Sequence, residues 1–98
     1  MGLTIVLEDE DGLAIQTLPK DLQYSELEHV NFDVFILLKY VDFYGDTTFN
    51  TLQLDDLIAD LMLLKNIAAH QSKIIQQIIN LALESKQSVH TYIKFYGD

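Results

Sequence analysis

Residues 40–46 read YVDFYGD and residues 92–98 read YIKFYGD, and the architecture of the chain turns on what this near-repeat becomes. Five of the seven positions are identical; Val41 is answered by Ile93, which keeps a β-branched residue, and Asp42 by Lys94, which reverses a charge. Around the second copy Val89, Thr91, Ile93 and Phe95 alternate with His90, Tyr92, Lys94 and Tyr96. That period of two sends alternate side chains to opposite faces of a strand. By likeness, the first copy reads as strand from Tyr40 onward. If the two strands are neighbours in one sheet, Asp42 stands across from Lys94, a favourable opposed pair. Both Tyr-Gly-Asp tips then lie at the same end of the sheet. Asp42, Tyr44, Asp46, Tyr96 and Asp98 would form one polar aromatic patch, a composition suited to binding surfaces.

Between Gly45 and Gly97 the chain contains no Gly and no Pro. Leu54, Leu57, Ile58, Leu61, Leu64 and Ala68 recur at helical spacing, followed less regularly by Ile75, Ile78, Ile79 and Ala82. Asp55, Asp56 and Asp60 fall early in this pattern and Lys65 near the end of its first half, as the helix dipole favours. Asn66 and Ser72 suit a helix end and a helix start, which divides the region 54–86 into two helices; a single long helix is the alternative. A helical pair of this length is sufficient for a crossover, so the flanking strands are compatible with a parallel arrangement.

Upstream, residues 32–40 are apolar at nearly every position, and periodicity does not separate a buried strand from a buried helix in such a run. The preceding segment 20–31 is polar, with Tyr24, Leu27 and Val30 three apart as on a helical turn. Leu3 to Leu7 and Leu13 to Leu18 flank the turn EDEDG and read as a β-hairpin. The turn is no calcium loop. With Gly12 at the sixth position, Leu7 and Leu18 would occupy the first and twelfth, and neither binds a hard cation. The expectation is an α+β domain: a small sheet with an N-terminal β-hairpin, and a helical pair between two YGD-tipped strands.

Ninety-eight residues with 49% hydrophobic content make one domain, residues 1–98, able to bury a core without crosslinks. Cysteine is absent, which removes disulfides, thiol nucleophiles and thiolate metal sites, and favours a cytoplasmic address. The N-terminal residues carry neither the basic region of a secretory signal nor a span long enough for a membrane. Fifteen acidic residues face six basic ones, all lysine, for a net charge of -9. Such a balance repels phosphate backbones and excludes nucleic acid as a partner, while an electronegative face suits a basic protein. The acidity concentrates in residues 1–60, which hold thirteen carboxylates against two lysines.

No catalytic arrangement is legible. His29, His70 and His90 lie in separate segments, the serines lack a nucleophile-elbow context, and the four glycines are too dispersed for a phosphate loop. Asp55 and Asp56 are adjacent and point about 100° apart on a helix, too divergent to share a site. Asp42, Asp46 and His90 would meet only if the paired strands bring them together, and a solvent-facing strand histidine explains His90 more simply. No cofactor and no metal are assigned.

The block YVDFYGDTTFNTLQLDDLIADL, residues 40–61, together with the closing HTYIKFYGD, residues 90–98, resembles a group of small, largely uncharacterised bacterial proteins. These carry a YGDTxFNxLQ block before a helix and a KFYGD-like terminal strand. They often have Pro where this chain has Phe43 or Asp55, a difference of local turn structure. The resemblance covers about a third of the chain and implies an immunity-like partner of a toxin. Taken together, the expectation is a non-enzymatic acidic domain that binds a basic protein. The alternatives are a carboxylate site for a divalent metal or small molecule at the YGD tips, and a homodimer joined through the apolar helices.

Overall fold

The computed structural model describes residues 2–97. Strand β1 (Gly2–Asp9) folds back on β2 (Ala14–Thr17), with Val6 opposite Thr17 and Leu7 opposite Gln16, so the N-terminal hairpin forms where the alternation predicts it. Asp9 builds the turn. Its Oδ1 accepts the backbone N–H groups of Asp11 and Leu13, both at 2.9 Å, and Gly12 takes a φ of 80°, a conformation that side chains resist. The chain then runs along the same edge of β1 to a short strand β3 (Leu22–Gln23), which pairs with Gly2 and Leu3.

Strand β4 (Asp46–Phe49), helix α1 (Leu54–Ile67), helix α2 (Ser72–Lys86) and strand β5 (Thr91–Tyr96) complete the fold. The sheet order is β2-β1-β5-β4 with β3 also on β1, and the pairings are antiparallel. The architecture is α+β, with the helical pair between the two Tyr-Gly-Asp segments. The helices separate at Ala68, whose φ of -105° and ψ of 67° leave the helical region; Ser72 begins α2 rather than capping it.

The first copy of the repeat departs from the expectation. Leu38–Tyr40 is a 3₁₀ turn, Val41 is extended, and residues 42–45 form a turn, so the strand begins at Asp46 where the heptapeptide ends. The cause is the residue that differs between the copies. Asp42 Oδ1 accepts the Tyr44 N–H at 2.9 Å while the Asp42 carbonyl accepts the Gly45 N–H at 3.3 Å, a β-turn with aspartate first and glycine last. Lys94 has no acceptor to offer at the matching position, and the second copy stays extended. The run 32–40 is neither strand nor α-helix; it holds two 3₁₀ turns, Phe32–Val34 and Leu38–Tyr40. The helical turn anticipated across Tyr24, Leu27 and Val30 is reduced to a 3₁₀ turn, Tyr24–Glu26.

One face of the sheet presents Leu3, Ile5 and Leu7 of β1, Phe49 of β4, and Ile93 and Phe95 of β5. Against it pack Leu54, Leu57, Leu61 and Leu64 of α1 and Ile75, Ile78 and Ala82 of α2, all fully buried. Each of these leucines and isoleucines contributes about 1.5–3 kcal/mol on burial. The opposite face carries Thr4, Val6 and Glu8, then Tyr92, Lys94 and Tyr96, then Asp46 and Thr48. Among the described residues no helix is long and apolar enough to cross a membrane.

Candidate functional site at the paired glycines

The antiparallel register sets Asp46 opposite Tyr96 and Thr47 opposite Phe95. The two Tyr-Gly-Asp segments therefore meet at one corner of the sheet, where the Gly97 N–H donates to the Gly45 carbonyl at 2.6 Å. A Cβ on Gly97 would collide with the Phe43 carbonyl oxygen and lie 2.7 Å from that of Gly45, so only glycine lets the two backbones approach this closely. The Asp42 carboxylate folds over Gly45, 2.6 Å from where a Cβ would stand, so a side chain there would have to displace it. Thr47 Oγ1 accepts the Asp42 N–H at 3.0 Å and ties the turn to the strand that follows it.

The repeat thus positions equivalent residues alike while its backbone differs. Phe43 packs inward, edge to face with Tyr24 at 4.9 Å and with Phe32 at 5.5 Å; its counterpart Phe95 is buried edge to face with Phe49 at 5.5 Å. Tyr44 and Tyr96 point away from that core. Tyr44 is 68% exposed and its ring has no aromatic or cationic neighbour among the described residues. Tyr40 is equally exposed and carries the Lys39 ammonium 5.2 Å above its ring.

Tyr96 lies along the open face of the sheet and donates its hydroxyl to Glu8 Oε2. Lys94 Nζ sits 4.6 Å above the Tyr96 ring and 4.0 Å from Asp46 Oδ2. The hydrogen bond to the Glu8 carboxylate, then burial, raises the Tyr96 hydroxyl above its ordinary range; Tyr96, then Glu8 and Asp46, does the same for the Lys94 ammonium. Val6 and Glu8 are buried on this face. The expected Asp42–Lys94 pair is not formed. Lys94 stands opposite Thr48 and its partner is Asp46, because the pairing is antiparallel and Asp42 is folded into its own turn.

Of the five residues singled out in the sequence, Asp42, Tyr44, Asp46 and Tyr96 gather at this corner, and Asp98 lies outside the described residues. His90 does not join them. It precedes Thr91 at the far end of β5, about 17 Å along the strand from Tyr96, and its ring faces Glu10 at 3.7 Å. Among the described residues no three His, Cys, Asp or Glu side chains are grouped to hold a metal ion.

Asp60 is the polar residue whose role escapes the sequence reading. Rather than facing solvent near the helix start, it is 4% exposed and accepts the backbone N–H groups of Ile36, Leu37 and Leu38 at 3.0, 2.7 and 3.0 Å. The signal was a carboxylate set within the apolar stripe of Leu57, Leu61 and Leu64. By this anchor α1 holds the segment leading into the corner. Comparisons with protein families, with curated proteins and with solved structures find no match to the chain.

Proposed function

We propose that the protein is a non-enzymatic binding domain whose paired-glycine corner docks a basic protein, in the manner of a bacterial immunity-type inhibitor. The observation that carries this reading is the open ring of Tyr44, exposed two residues along the chain from both Asp42 and Asp46 on a backbone held by the Gly97–Gly45 hydrogen bond. An exposed aromatic ring in an acidic stretch of chain accepts a lysine or arginine by combined cation–π and ionic attraction. The protein's own lysines already use Tyr40 and Tyr96 in this way. The net charge of -9 supplies long-range attraction for a cationic partner. The likeness of residues 40–61 and 90–98 to immunity-like bacterial proteins points in the same direction.

The test is retention of partner from cell extract on immobilised protein at low salt, with Tyr44→Ala and Asp46→Lys in parallel. A protein kept by the wild type, released as salt rises and lost with both variants supports the proposal. Equal retention by the variants, or none by the wild type, rejects it. A homodimer is a second reading, favoured by a groove of about 450 Å³ lined by Ile58, Met62, Ile79 and Leu83, with Met62 58% and Leu83 46% exposed. Sedimentation equilibrium separates the two, because Met62→Lys lowers the mass of a dimer and leaves corner docking intact.

A further inference from the structure

Four of the six lysines have partners: Lys39 lies over Tyr40, Lys65 donates to Gln76, Lys86 pairs with Asp55 and Lys94 with Asp46. Lys20 and Lys73 have none among the described residues, although the chain offers fifteen carboxylates. Both line the same cavity, of about 610 Å³, between the loop that enters β3 and the start of α2. That volume falls in the range of small-molecule sites, and its lining shares no residue with the paired-glycine corner.

The rest of the lining completes a donor set. Gln71 is fixed by accepting the Gln23 N–H on its Oε1 at 3.2 Å, which leaves its amide N–H₂ to donate. His70 adds a further ring donor. Gln77 also borders the cavity; its Oε1 is enclosed without a partner, so turning its amide toward a ligand breaks no hydrogen bond there. Asp21 is the one carboxylate on the wall, and it accepts the Thr4 hydroxyl at 3.0 Å. The start of helix α2 borders the same space and has no acidic residue in its first turn, unlike α1, which has Asp55 and Asp56 there. In a chain of this acidity, the cavity is a local excess of positive charge and free donors.

We infer that this cavity binds a small phosphomonoester, its phosphate held by Lys20, Lys73 and the Gln71 amide and its hydroxylated body against Gln77. Separate ammonium and amide donors suit a tetrahedral dianion, whereas a planar carboxylate is matched by the guanidinium fork that this chain, having no arginine, lacks. Turning the Gln77 amide brings its enclosed, unpartnered oxygen to the cavity wall, where a hydroxyl of the ligand body donates to it.

The experiment is a titration of backbone amide resonances with ribose 5-phosphate and, separately, with inorganic phosphate, at ionic strength matched with sodium chloride. The expected result is saturable shifts confined to residues 20–23 and 70–77, tighter for the sugar phosphate. Lys20→Gln and Lys73→Gln each weaken binding about tenfold, with resonances of the corner residues unchanged. Shifts that follow chloride equally, that appear alike around Lys39 and Lys65, or that survive the double substitution overturn the inference. Equal affinity for the two probes overturns its sugar-phosphate part.

Discussion

Gly97 is the residue on which the corner depends. Gly97→Ala forces its new methyl into the Phe43 and Gly45 carbonyls and breaks the 2.6 Å hydrogen bond between the segments. The expected loss is about 2 kcal/mol, read by urea denaturation; a variant as stable as the wild type would show that the contact is not made in solution. Asp42 acts one step earlier, by setting the backbone of the turn. Asp42→Asn keeps an oxygen for the Tyr44 N–H and changes little, whereas Asp42→Lys removes it and costs about 1 kcal/mol, seen as a lower Tm. The aspartate-first, glycine-last pattern of residues 42–45 was legible in the sequence as a turn signal. The identity of five positions with a strand concealed it, because likeness of string says nothing about which local hydrogen bond a single changed side chain can make.

Among the elements, β5 carries the most. It is the central partner of β1 and β4, its inner side chains are buried in the core, and its outer ones form the Glu8–Tyr96–Lys94–Asp46 row. Tyr96 and Lys94 both titrate above their ordinary values of 10.0 and 10.5 in the folded chain. A group whose folded pKa is raised lends stability that is complete below its unfolded pKa and disappears as pH climbs through the folded one. Resistance to urea should therefore hold level to about pH 10 and decline above it. Tyr96→Phe should flatten that decline, and ultraviolet titration should lose its latest tyrosine step. An unchanged alkaline profile in Tyr96→Phe would show that the hydroxyl contributes nothing. The alternation of β5 was plain from its residues, since period two needs no knowledge of neighbours. Its antiparallel partners were not, because a helical pair can return the chain to either direction.

At the scale of the molecule, Asp60 couples the helical layer to the irregular segment between β3 and β4. Three backbone donors depend on one carboxylate, so Asp60→Ala strands them, the Leu38 N–H in a buried site and the other two in partly buried ones. The expected cost is about 3 kcal/mol, with Asp60→Asn, which keeps one acceptor oxygen, intermediate. Hydrogen exchange at Ile36, Leu37 and Leu38 should quicken by at least the same factor as the global opening; unchanged protection there would mean that another group holds the segment. The hairpin, the two helices, the α+β class and the buried leucines follow from periodicity, because spacing alone sorts side chains between core and solvent. The direction of strand pairing, the anchor at Asp60 and the cavity shared by Lys20 and Lys73 arise from contacts between residues far apart in the chain. A pattern of near neighbours does not encode such distances. They are set when helices, sheet and loop pack together and each buried donor must find its acceptor.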